Sequence, residues 1–149
     1  MTKTYPYALL EKQLSALVET STDPIARAAN VSAALFEALE QINWIGFYRV
    51  NNNTLLLGPF QGKPACVVLY PGKGVCAAAW EKKETLIVPD VHEFEGHIAC
   101  DPSSCSELVT PVFNGKDVWG VLDADSPIPS RFGPNEKQLL EFAAGLIFS

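Results

Sequence analysis

The 149 residues contain no apolar run near transmembrane length, and no apolar core follows Met1-Thr-Lys-Thr as it would in a signal peptide. The chain is therefore expected to be cytoplasmic and to have no membrane partner. It has no basic cluster either: 11 Lys and Arg stand against 17 Asp and Glu, giving a net charge of −6. Nucleic acid and anionic lipid are poor partners for such a surface. Gly72-Lys73-Gly74 makes a tight loop but lacks the Walker spacing and the Gly-Lys-Ser/Thr ending, which excludes a phosphate loop. Cysteine is sparse, at four residues, and no CxxC occurs. His92, His97, Cys100 and Cys105 read H-x4-H-x2-C-x4-C, and Cys66 and Cys76 are ten apart. Neither spacing is that of a structural zinc site, so no metal is expected. There are no internal repeats and no low-complexity segments.

What is present is ordinary for one globular domain over residues 1–149: 48% hydrophobic and 19% charged residues. A chain of this length buries roughly 70% of the surface that it exposes when unfolded. Apolar spacing predicts a helix from about Tyr7 to Glu19, with Leu10, Leu14, Leu17 and Val18 on one stripe. Asp23-Pro24 is a cap and first-turn proline that starts a second helix to about Glu40. The Ala-rich face of that helix suits either the sheet or a helix–helix dimer contact. Asn43–Val50 and Thr54–Phe60 read as strands around an Asn51-Asn52-Asn53 turn. Cys66 opens a further strand to Leu69, a short helix runs from Val75 to about Lys82 with Cys76 in its first turn, and Glu84–Val88 is another strand. A final helix follows Phe132-Gly133-Pro134 and ends near Phe148. Together these make an α+β fold, an antiparallel sheet with its helices on one side.

The chemistry is concentrated between Gly96 and Asp125. Cys100 and Cys105 lie in a Pro/Ser-rich loop, where backbone can bend around a ligand. Ser106–Phe113 is a strand whose alternation puts Glu107, Val109 and Pro111 on one face. Asn114-Gly115 signals a hairpin. Asp117–Asp125 returns antiparallel, with Asp123 and Asp125 on a shared face. A cysteine is usually a small buried hydrophobe, and an Asp near a strand end is usually a turn residue. The second Asp of a same-face pair resists that explanation, because an unpaired buried carboxylate is costly. Three acids in one pocket cannot all ionise cheaply, so at least one is expected to hold its proton at neutral pH. Four cysteines without a secretion signal point to redox, metal or catalytic use. A disulfide relay fits best, in which one thiol becomes a sulfenic acid and a second resolves it.

These residues resemble the free methionine-(R)-sulfoxide reductases, single-domain proteins of GAF fold. The resemblance rests on GHIACD, SE, NG and LDADS in this stretch. It extends through NWIGFY at Asn43–Tyr48, GPFQGKPAC at Gly58–Cys66, PGKGVCAAAW at Pro71–Trp80 and RFGPNE at Arg131–Glu136. It implies that Cys100 is the attacking thiol, Cys66 the resolver and Cys76 an alternate or later relay. Cys105 lies outside the implied core mechanism and is at most a stray resolver. Trp44 becomes a wall of the substrate pocket, where an indole packs on a thioether or sulfonium-like methyl group, with Glu107, Asp123 and Asp125 completing it. Asp125 is assigned to the sulfoxide oxygen, and Glu107 and Asp123 to the ammonium of a free amino acid. The Gly96–Asp101 loop is expected to offer N–H groups to the substrate carboxylate. The implied partners are free L-methionine-(R)-sulfoxide, thioredoxin as reductant, and a second copy in a homodimer, with no cofactor. The rival is a non-catalytic GAF module that senses a small ligand. Such modules are usually joined to an output domain, and the acidic pocket disfavours a phosphate.

Overall fold

Alternating apolar residues in the second half of the chain build the centre of the molecule, a long hairpin of Ser106–Asn114 (β5) and Asp117–Ser126 (β6). Asn114 pairs with Asp117 and Gly115 takes φ 64°, so the turn closes one residue later than the Asn-Gly pair suggests. The computed structural model describes residues 4–97 and 100–149. Its other elements are Ala8–Val18 (α1), Pro24–Ala38 (α2), Trp44–Asn51 (β1), Thr54–Gly62 (β2), Val68–Leu69 (β3), Gly74–Lys82 (α3), Leu86–Val88 (β4) and Pro134–Leu146 (α4). A single 3-10 turn, Val91–Glu93, follows β4.

The six strands form one sheet in the order β3-β2-β1-β6-β5-β4, each pair antiparallel. The β1–β2 turn places Asn52 and Asn53 at φ 49° and 58°, the left-handed pair that a two-residue hairpin loop demands and that Asn tolerates. At the start of α2 the Asp23 side chain accepts from the N–H groups of Ile25 and Ala26 at 2.8 and 3.0 Å, with Pro24 in the first turn. Such a cap is worth about 1 kcal/mol. At the start of α4 the Glu136 carboxylate accepts from the Gly133 N–H at 2.8 Å and from the Tyr7 hydroxyl at 2.6 Å. That tie fastens α1 to α4.

Strand alternation sorts the core into two layers. Ile45, Phe47, Leu108, Val112, Leu122 and Ala124 point to one face, where α1, α2 and α4 cover them with Leu14, Val31, Leu35, Leu139 and Leu140. Trp44, Tyr48, Val109 and Val121 point to the other, where α3 covers them with Val75, Cys76 and Ala79. The expectation of helices on one side is thus corrected. Strands β1, β5 and β6 carry apolar side chains on both faces, and such strands need cover on both. A second correction concerns Cys66: β3 is only Val68–Leu69, and Cys66 lies in the irregular segment before it. Pro64 and the edge position leave that segment a single backbone tie to β2, from Leu57 N–H to Val67 O at 2.9 Å.

Candidate active site

The register of the central strands sets the acids side by side. Glu107 on β5 is the direct partner of Asp125 on β6, and Asp125 is in turn the partner of Trp44 on β1. Asp123 lies one step along the same face, opposite Val109 and Gly46. Directly paired residues have Cβ atoms roughly 4.5–5.5 Å apart, so the three carboxyls form one cluster under α3. All three are buried, at 8%, 5% and 9% relative exposure for Glu107, Asp123 and Asp125.

Burial is the leading reason that each carboxyl holds its proton far more tightly than usual, and its acidic neighbours add to it: Asp123 for Glu107, Asp125 for Asp123, and Glu107 for Asp125. Cys76, reaching down from α3, is driven the same way, first by burial and then by Asp123. Its thiol is therefore a poor thiolate. Asp123 Oδ1 is buried and accepts no hydrogen bond. Its near neighbours are the carboxyls of Glu107 and Asp125 and the Cys76 thiol, which can donate only when protonated. Protonated, as burial favours, these neighbours are the donors within its reach.

The walls are aromatic. The Trp44 ring lies 5.3 Å from Phe60 and 5.9 Å from Tyr48, stacked on both, and its Nε1–H donates to Lys63 O at 3.2 Å. Gly46, between Trp44 and Tyr48, lets β2 press close, because a Cβ there would strike the backbone and Cβ of Phe60. The Tyr48 hydroxyl donates to Cys66 O at 2.7 Å, which ties the floor of the site to its rim. At that rim Cys66 and Cys100 are joined in a disulfide with their Cα atoms 5.6 Å apart. The space between disulfide and acids is an open cleft, lined also by Lys73 and His97. Burial lowers the His97 pKa, so the ring enters the site neutral.

Asp101, the next residue after Cys100, is fixed from two directions. It accepts from the Ser103 N–H and hydroxyl at 2.9 and 2.7 Å, and from Asn43 Nδ2 at 3.0 Å. The same Asn43 donates from its backbone to Asp125 O at 3.0 Å. The thiol loop and the acid strand are therefore held by one residue at the entrance to β1.

Of the site residues expected from the sequence, Cys76, Cys100, Trp44, Glu107, Asp123 and Asp125 all line this cleft, and Cys66 bonds to Cys100 at its rim. Cys105 does not line it. It sits at the foot of β5, its N–H donating to Ser126 O and its carbonyl accepting from Val91 N–H. The expected N–H groups of the Gly96–Asp101 loop fall partly on residues 98 and 99, outside the described residues. Tyr48, Asn43 and Lys73 received no role from the sequence. For Tyr48 the signal was available, since alternation puts it on the Trp44 face. Asn43 and Lys73 lie within the motifs NWIGFY and PGKGVCAAAW, which give neither an individual role. The sequence spacing tested for zinc also misses that the fold brings ligand atoms of Cys76, Glu107 and Asp123 within 4.8 Å of one another.

The chain matches the GAF domain over residues 13–147. It is 46% identical over 138 residues to the free methionine-R-sulfoxide reductase of Escherichia coli, covering 93% of this chain and 84% of that one. The reduced form of fRMsr of Staphylococcus aureus superposes with a TM-score of 0.92 at 49% identity, over 99% of this chain and 97% of that chain. The free methionine-R-sulfoxide reductase of Neisseria meningitidis, in complex with its substrate, superposes with a TM-score of 0.93 at 37% identity, over 99% and 90% of the two chains.

Proposed function

This chain belongs to the GAF-domain family and, within it, to the free methionine-R-sulfoxide reductases, and on that premise we propose that it reduces free L-methionine-(R)-sulfoxide to L-methionine. The observation that carries the reading is the Cys66–Cys100 disulfide at the rim of a cleft floored by three buried carboxyls.

The steps balance around those groups. In the reduced protein the Cys100 sulfur takes the sulfoxide oxygen. The S–O bond of the substrate breaks, methionine leaves as the thioether, and Cys100 becomes a sulfenic acid. Sulfoxide oxygen leaves poorly unless it is protonated, and a carboxyl that holds its proton at neutral pH supplies what is needed. Asp125 takes that task, being paired with Glu107 on one side and with Trp44 on the other. Glu107 and Asp123 bind the substrate ammonium, which gives Asp123 Oδ1 the partner it lacks. The Trp44 indole packs on the thioether end of the substrate. Cys66 then attacks the sulfenic sulfur and releases water, leaving the disulfide. Thioredoxin, a dithiol of the cytoplasm, takes up the oxidation and restores both thiols. Cys76 serves as a later relay at most, because burial keeps its thiol protonated.

The protein acts as a homodimer, with the exposed stripe of Ala26, Ala29 and Ala33 beside Ile25 on α2 as the surface that supports it. Light scattering on eluting protein tests that point. Thioredoxin-coupled NADPH consumption tests the activity: the R diastereomer of the free amino acid should be consumed and the S diastereomer should not. Equal rates on the two, or none on either, would overturn the assignment.

A further inference from the structure

The cluster that binds the substrate ammonium has a second property. Its three closest ligand atoms are not all oxygens: Cys76 Sγ, a Glu107 carboxylate oxygen and an Asp123 carboxylate oxygen lie within 4.8 Å of one another, all buried. The ligand atoms around a tetrahedral zinc ion sit on bonds of about 2.0–2.3 Å. Two ligand atoms on such bonds are at most about 4.6 Å apart, so this set lies close to the span of one ion. A thiol with two carboxylates is the donor set of a thiophilic, four-coordinate cation. Calcium asks for six to eight oxygens and magnesium for an octahedron rich in water, and neither accommodates Cys76.

Asp123 supplies a second, independent mark. At 5% exposure its carboxyl lines the cleft, and its buried Oδ1 has no hydrogen-bond partner outside the acids and thiol of the cluster itself. Asp125, in hydrogen-bond reach of Glu107, stands where an outer-shell partner orients a ligand. Lys73 and His97 also line the cleft, and the fourth position of the ion is left to water.

We propose that this protein binds one thiophilic divalent cation of the zinc class on Cys76, Glu107 and Asp123, and that the bound ion excludes the sulfoxide substrate. The metal binding stands on this geometry alone, whereas the exclusion rests on the substrate reading given above, since the ion and the ammonium claim the same two carboxylates. Binding displaces the Cys76 proton and any proton shared by the two carboxyls. No ligand of the site is a member of the Cys66–Cys100 disulfide, so the oxidised protein keeps its donors.

Cobalt(II) reports both the ligand and the geometry by absorption. The oxidised protein, its only free thiols Cys76 and Cys105, is titrated with cobalt and then with zinc. Expected are a thiolate-to-cobalt charge-transfer band, intense four-coordinate d–d bands that saturate at one equivalent, and loss of both on adding zinc. Cys76→Ser should remove the charge-transfer band and weaken cobalt binding by more than the roughly 10–100-fold that loss of an outer-shell partner costs. Cys105→Ser should change neither. Asp123→Asn, which keeps the thiol, should retain the fold by circular dichroism and still lose affinity. Absence of the band in the wild type, or its loss in Cys105→Ser with survival in Cys76→Ser, overturns the site. The exclusion is read in the Cys66→Ser, Cys100→Ser double variant, which can neither turn over nor form the disulfide. Free methionine-(R)-sulfoxide should discharge the cobalt spectrum, and a spectrum unmoved at saturating sulfoxide overturns the exclusion while leaving the metal site in place. A missing band leaves the reductase activity unaffected, so the two readings fail separately.

Discussion

Glu107 and Asp125 stand directly opposite one another on β5 and β6, two carboxyls in adjoining strands on a buried sheet face. Like charges at such a position destabilise a sheet, and Trp44 closes the row on the far side of Asp125. An acid, an acid and an indole thus lie in line across three strands. Ionised together they would cost more than the fold can offset, so the pair holds a proton at neutral pH and can deliver it. The arrangement weakens the empty protein, a cost that the proposed ammonium pairing would offset.

Cys100→Ser should abolish methionine release even in a single turnover, because no other thiol can take the oxygen. Cys66→Ser should release about one methionine per enzyme, the stoichiometry of an unresolved sulfenic acid, and lose most thioredoxin-driven turnover. Rapid-quench product analysis separates the two. Product from Cys100→Ser, or full turnover in Cys66→Ser, would reassign the thiols.

The excess of carboxylates predicts strict preference for the free amino acid. Protonating the oxygen takes one acid, and the remaining two need an ammonium. An N-acetylated sulfoxide offers a neutral amide instead, so the two carboxyls keep their protons and the ion pair with the ammonium is lost, at a cost of roughly 3–5 kcal/mol by analogy with broken buried ion pairs. On kcat/KM that is on the order of a thousandfold. If the N-acetyl compound is reduced within about threefold of the free one, a gap below 1 kcal/mol, the carboxylates do not read the ammonium.

All three acids hold their protons more tightly folded than unfolded, with burial the first cause. Between the ordinary carboxylate range, about pH 4, and the raised folded values, the native state binds more protons than the unfolded one. Stability from this cluster is therefore fully present at acid pH and declines as pH rises through the folded values. Asp123→Asn should flatten that decline and raise stability at neutral pH by about 0.5–2 kcal/mol, the usual gain at a destabilised functional site. Thermal melts of both proteins across the neutral range check it. Parallel curves for the two would show that Asp123 carries no such proton.

Arg27 is a buried guanidinium, 8% exposed, whose closest hydrogen bonds go to main-chain oxygens. Its Nη1 donates to Leu146 O at 3.0 Å and to Ser149 O at 2.9 Å, and its Nε to Ser21 O. These join the end of α4 to the start of α2, where a cation also meets the negative pole of a helix. Arg27→Ala leaves several buried carbonyls without a donor, at roughly 2–4 kcal/mol in total. Urea unfolding should show a lower midpoint with the slope unchanged, and KM for the sulfoxide should not move, since the residue lies on the face of the sheet opposite the cleft. A changed KM would tie α2 to the site.

Local pattern alone determined a good deal of this protein. Two-residue alternation in Ser106–Asp125 put Glu107 on one face of its strand and Asp123 with Asp125 on one face of theirs. Side-chain direction in a strand depends only on position parity, so that much is written in the chain. Asn and Gly marked both hairpins because few other residues tolerate the left-handed backbone that tight turns impose. The motifs around Cys66, Cys76 and Cys100 carried the family. What the sequence could not set was anything that depends on register or on which layer covers which face. That Glu107 meets Asp125 follows from a turn that closes at Asn114–Asp117 together with a register shift between Val112 and Phe113, without which Glu107 would face Ala124. Cys66 and Cys100, 34 residues apart, meet because β3 ends the sheet on one side while the loop before β5 folds back from the other. The placement of α3 above the acids, opposite the other three helices, follows from strands that are apolar on both faces. Packing of whole layers decides it, and no window of sequence contains that information.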